Sequence, residues 1–233
     1  EMARCGCDII DFATASMADG TSQASLNAFL AMMEGHSSRN PKIDYMSLEP
    51  YDLYWAGIRD HYVPFESGMK SGTARVFDHQ IPGGQYSNLI VQCAGIGLSL
   101  DQWSQVLDAY RDVNLLFGDI VKVTPSSKVV GDLALYLVLK GIQTKDLIDP
   151  ETQEVQPLAY TIDYPASVVG LMKGELGLPH RGFPKRVEEM ILRGEAKLTT
   201  RAGLVLPPVN FEENRQKLAA KWGVAITEEQ AMS

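Results

Sequence analysis

Strand patterning in this chain is confined to its first residues, and helical patterning fills almost everything that follows. The apolar run CDIIDFA, Cys7 to Ala13, has strand length, and Gly6 before it reads as the terminator of a helix whose tail is Glu1 to Arg4. Ser22 to Met33 then places Leu26, Phe29, Leu30 and Met33 on one helical face, so the two segments form a βα unit. Gly35 to Pro50 breaks into a loop. Pro50 to Pro64 is amphipathic and aromatic, and Gly68 to Gly84 is a glycine-rich connection with one short strand candidate, Arg75 to Asp78. Periodicity predicts helices over Gln85 to Ala94, Asp101 to Phe117, Pro125 to Lys140, Pro165 to Lys173, Pro184 to Arg193 and Phe211 to Trp222. Thr144 to Gln156 is polar and reads as a surface excursion. A complete eight-stranded (β/α) barrel takes about 250 residues with strands throughout, so these 233 residues do not make one.

The most specified stretch is GDIVKVTPSSKVVGD, Gly118 to Asp132. Thr124 is placed to cap a helix and Pro125 to occupy its first turn, where a missing N–H costs nothing. Val129, Val130, Leu133, Leu137 and Val138 supply an apolar face. Lys122 and Lys128 flank this buried entrance, and charges there need partners or an anion. Structural ion pairs are the simpler expectation. Gly83-Gly84 is neither a GxGxxG pattern nor a P-loop and reads as a tight turn before the Gln85 helix. Tyr51, Tyr54 and Trp55 at helical spacing read as packing, with a subunit interface as the functional alternative.

Composition narrows the partners. The net charge is −8, from 29 acidic and 21 basic residues, without a basic stripe, which argues against nucleic acid. No apolar run approaches the ~20 residues of a membrane span. Three cysteines, Cys5, Cys7 and Cys93, fit a reducing compartment, and Cys5 and Cys7 lack zinc-knuckle spacing. The four histidines form no HxH or HExxH pair and are not assigned to metal.

Three motifs carry a resemblance that covers nearly the whole chain. SMADGTSQAS (Ser16 to Ser25), IPGGQYSNL (Ile81 to Leu89) and the Gly118 to Asp132 run resemble, in this order and at compatible spacing, segments of the carboxyltransferase region of pyruvate carboxylases. YWAGIRDHYVPFES (Tyr54 to Ser67) and GLPHRGFP (Gly177 to Pro184) agree more loosely. The resemblance implies an α/β fold class: the last part of a TIM-type (β/α) barrel over residues 1–48, then a mainly α-helical extension over 49–233. It implies a biotin-dependent carboxylase that moves CO2 from carboxybiotin to pyruvate to give oxaloacetate, with ATP used by another domain. Thr21 matches the family's proton-shuttling threonine, and a hydroxyl suits that task because it donates and accepts at once. Read from spacing alone, Thr21 would cap a helix starting at Ser22. Gln23 and Ser25 are candidates for lining the biotin pocket. The family's divalent metal, such as Zn or Mn, is held by an aspartate, an HxH pair and a carboxylated lysine. All of these are expected upstream of Glu1, so the isolated chain is expected to be inactive.

Further expectations follow from the same resemblance. They are other domains of the same polypeptide as partners, a homo-oligomer at full length, and a cytoplasmic location, or the mitochondrial matrix in a eukaryote. The motif around Thr21 departs from the family's SMSGxTSQPS at Ala18, Asp19 and Ala24, and a carboxylate at Asp19 puts the loop geometry in question. Sodium-pumping oxaloacetate decarboxylase α-subunits and transcarboxylases share the threonine loop but generally lack the SSKVVGD ending. A non-catalytic assembly module of a multidomain carboxylase is the reading from another class.

Overall fold

The computed structural model describes residues 2–36, 41–66, 69, 73–205 and 207–232. It is helical, and the described residues contain no β-strand. The start of the chain has the two hydrogen bonds that end a helix: Cys7 N–H donates to the Met2 carbonyl at 3.2 Å, and Gly6 N–H donates to Ala3 at 3.3 Å. Gly6 takes φ 90°, the left-handed conformation that this closure requires. Glu1, at the head of that expected tail, lies outside the described residues. Cys7 to Ala13, expected as a strand, makes only one isolated parallel bridge, between Ala13 and Ser25. A strand exists by its ladder, and one bridge to a loop does not supply one.

The first helices are α1 (Leu26–Met33), α2 (Glu49–Tyr62) and the single turn α3 (Val76–His79). α1 begins four residues later than its periodicity implies. Ser25, rather than Thr21, caps it by accepting the Ala28 N–H at 3.3 Å. α3 replaces the strand expected at Arg75 to Asp78: His79 N–H donates to Arg75, and Gln80 closes the turn at φ 55°. Asp78 and Asp108 hold the guanidinium groups of Arg111 and Arg75, which ties α3 to the helix over Leu100–Leu116. Parts of the two connections read as loops, residues 37–40, 67, 68 and 70–72, lie outside the described residues.

The core belongs to α4 (Gly83–Gly95), α5 (Leu100–Leu116), α6 (Ser126–Lys140), α7 (Ala166–Lys173) and α8 (Lys185–Leu192). Five of the six expected helices are these, each within about two residues of its predicted bounds, and the sixth is α10 (Phe211–Trp222). α5 opens on a capping box in which Ser99 and Gln102 satisfy each other's backbone N–H groups. Its face Val106, Tyr110 and Val113 is fully buried against α6, whose Val130, Leu133 and Ala134 are equally inaccessible. The polar excursion at Thr144 to Gln156 is anchored by Leu147, also fully buried. α9 (Ala202–Val205), α10 and α11 (Glu228–Met232) complete the chain.

The entrance to α6 differs from its expected cap. Pro125 occupies the N-cap position and the helix starts at Ser126, so Thr124 is one residue too early to cap. Ser126 closes the turn instead, its Oγ accepting the Val123 N–H at 3.1 Å and lying 2.7 Å from the Val121 and Val123 carbonyls. The flanking lysines are paired. Lys122 donates to Gln80 Oε1 at 3.1 Å and lies 3.9 Å from the Asp119 carboxylate. Lys128 sits 2.7 Å from Asp132, which also accepts the Ser167 hydroxyl. Packing fails as a description of α2: Tyr51, Leu53 and Tyr54 are each more than 60% exposed.

Candidate functional site

The loop between Ala13 and α1 is a compact turn. A 3-10 segment, Ala15–Met17, leads to Asp19 at φ 67° and Gly20 at φ 60°. Ser22 N–H donates to the Asp19 carbonyl at 2.9 Å, and Asp19 N–H donates to the Gln23 carbonyl at 3.1 Å. The left-handed conformation explains the glycine of the related motif at this position. Aspartate is among the few side-chain-bearing residues that adopt it at little cost, so Asp19 keeps the turn.

This turn presents Thr21, half-buried, to the first turn of α4. Thr21 Oγ1 lies 2.9 Å from Ser87 Oγ, and the Ser87 hydroxyl donates to the Gly83 carbonyl one helical turn earlier, at 3.0 Å. Gly83 is not part of a tight turn before the helix. It is the first helical residue, and a Cβ on it would fall 1.8 Å from the Thr21 carbonyl oxygen. Only glycine allows the two backbones to approach this closely. IPGGQYSNL and SMADGTSQAS, 66 residues apart at Thr21 and Ser87, therefore form one contact.

Thr21 lines two cavities. The larger, about 780 Å³, is walled by Trp55, Ile58, Tyr62 and Phe65 and carries Ser87 and Arg59. Arg59 donates to the Ser16 carbonyl and to Glu66, both at 2.6 Å, and so ties α2 to the loop. Asp19 also lines this cavity. The smaller, about 270 Å³, is bounded by His79, Ile81, Gly83 and Tyr86. His79 is 1% exposed and its Nδ1 accepts the Ile81 N–H at 3.0 Å. Burial, reinforced by the nearby Arg75 charge, lowers its pKa despite Asp78 and Asp108. The ring stacks on Tyr86, which meets Trp103 edge-on.

Of the three residues singled out by sequence, only Thr21 reaches these cavities. Gln23 is exposed and accepts a long 3.4 Å bond from Ser22. Ser25 is engaged as the α1 cap, and neither residue lines either space. Ser87 and Gly83 were not legible as site residues. Their signal was present in IPGGQYSNL, but adjacency to Thr21 exists only in three dimensions. Among the described residues, no three His, Cys, Asp or Glu side chains are grouped to hold a metal.

Residues 76–233 match the family model described as conserved carboxylase domain. The chain belongs to that family. It is similar to part of the pyruvate carboxylases. It is 44% identical to that of Bacillus subtilis over 98% of this chain, and 39% identical to pyruvate carboxylase 1 of Caenorhabditis elegans over 100%. It spans 19% of the length of each. Among solved structures, it superposes on the carboxyl transferase domain of Rhizobium etli pyruvate carboxylase with pyruvate and biocytin. The TM-score is 0.78 at 36% identity, over 98% of this chain and 37% of that one. The carboxylase family assignment covers α3 to α11, while the Thr21 loop lies before the matched residues.

Proposed function

We propose that this chain provides part of the carboxyltransferase site of a biotin-dependent pyruvate carboxylase, which moves CO2 from carboxybiotin to pyruvate to give oxaloacetate. In this reading residues 1–48 are the end of a (β/α) barrel and 49–233 its helical extension. The Cys7 to Ala13 run with its one parallel bridge to Ser25, followed by α1, supports the first part, and the helical body supports the second. One observation carries the chemistry: the Thr21 hydroxyl is free of helix capping, bonds to Ser87, and lines both cavities.

The larger cavity fits biotin on two counts: aromatic and aliphatic walls for the bicyclic ring, and the Thr21 hydroxyl for its polar ureido edge. When bound, that group supplies the CO2 and leaves a basic nitrogen. Thr21 then gives its hydroxyl proton to that nitrogen and takes one from the pyruvate methyl, so its own proton count is unchanged. The resulting enolate carbon forms the new bond to CO2. The divalent metal of the family needs ligands that the described residues do not group. Free cysteines at low count fit the cytoplasm or the mitochondrial matrix. No helix among the described residues is long and apolar enough to cross a membrane.

The test is Thr21→Ala in the holoenzyme. Pyruvate carboxylation is expected to fall by about 10²- to 10⁴-fold, the usual share of a positioned acid–base group, with oligomer size unchanged. Unchanged turnover with altered oligomer size would instead assign the chain to assembly.

A further inference from the structure

We infer that Ser87 is a positioning residue that sets the donor and acceptor sense of Thr21. This inference rests on the reading of Thr21 given above. A serine hydroxyl has one proton to give. Inside a helix its common partner is the carbonyl four residues earlier, and Ser87 Oγ lies 3.0 Å from that carbonyl, of Gly83. A carbonyl oxygen cannot donate, so the Ser87 proton points to Gly83. The 2.9 Å contact with Thr21 must then run the other way, with Thr21 donating to Ser87.

The consequence lies at Thr21. A hydroxyl that rotates freely divides its time among several orientations. One held by Ser87 directs its proton along α4 and leaves its lone pairs for the rest of its surroundings, which are the two cavities. The resting threonine thus presents an oxygen lone pair to the cavities, and it takes the substrate's proton only as its own leaves for the biotin nitrogen. To donate, it needs only to swing its own proton away from Ser87, and Ser87 can follow by turning its proton from Gly83 toward Thr21. No covalent bond at Ser87 changes, and its proton count is constant throughout. Gly83 holds the geometry, because its missing Cβ is what lets the α4 backbone lie against the Thr21 carbonyl.

The experiment is steady-state kinetics of pyruvate carboxylation on the holoenzyme carrying Ser87→Ala, Ser87→Thr or Thr21→Ala. Ser87→Ala should lower kcat by roughly 3- to 10-fold, the worth of one ordinary hydrogen bond, and leave the KM for pyruvate and the thermal melt unchanged. Ser87→Thr, which keeps the hydroxyl, should return kcat to within about twofold of the parent. The inference is overturned if Ser87→Ala keeps its full kcat, if its loss appears in KM, or if Ser87→Thr does not rescue it. Should Thr21→Ala also turn over normally, the catalytic reading itself fails. Should only Thr21→Ala be impaired, that reading stands and the role of Ser87 alone is wrong.

Discussion

At the scale of single residues, the site is governed by who is already occupied. Ser25 spends its oxygen on the α1 cap, and this relieves Thr21 of the duty that its position in sequence implies. Asp19 shows how a departure from a motif can be neutral for backbone shape, since it holds the φ 67° at which the related motif has glycine. Gly83 is the opposite case, a residue that nothing can replace. Its Cβ would meet backbone rather than a movable side-chain end, 1.8 Å from the Thr21 oxygen. Gly83→Ala must therefore push the Thr21 loop and α4 apart. Misplacement by an ångström costs on the order of 10²-fold in a positioned reaction. The holoenzyme variant is expected to lose at least about tenfold in kcat, measured beside Thr21→Ala. A fully active Gly83→Ala enzyme would show that the loop moves without consequence.

Between elements, small residues set how closely helices approach. Gly131 sits in the middle of α6, where glycine costs about 0.5–1 kcal/mol relative to alanine. By propensity alone, Gly131→Ala should stabilise. A Cβ there, however, would lie 2.9 Å from Gln85 Nε2 and 3.1 Å from Leu89 Cδ2, both on buried positions of α4. Overpacking of this kind costs about 1–3 kcal/mol, which exceeds the propensity gain. The expected net result is a destabilisation on the order of 1 kcal/mol, read as a lower midpoint in urea unfolding. A higher midpoint would mean that α4 and α6 part without strain. The same reasoning gives the GDIVKVTPSSKVVGD run a physical role: Ser126 starts α6, Gly131 brings α4 close, and Asp132 anchors Lys128 and Ser167.

For the whole molecule, the distribution of burial separates a helical body from the site-bearing arm. The contiguous core runs from Ile81 to Leu192, and no residue of α1 or α2 belongs to it. α2 buries none of its residues, and its aromatic side chains face outward or into the cavity beside Thr21. A chain reduced to residues 73–205 is therefore expected to keep its helical circular dichroism and a cooperative thermal transition. A non-cooperative melt would show that the arm contributes to the core.

Helix content, the positions of α4 to α8 and α10, and the pairing need of Lys122 and Lys128 were legible in sequence, because periodicity and capping are local properties of a few consecutive residues. Thr21 was legible only through its motif. The strand at Cys7 to Ala13, the strand at Arg75 to Asp78 and the burial of α2 were not determined locally. Each depends on a distant partner to pair with or pack against, and an apolar or aromatic pattern does not say whether that partner is present. Tertiary structure alone decided that Ser87 and Gly83 meet Thr21, because a hydrogen bond across 66 residues and a missing Cβ leave no periodic trace in the chain.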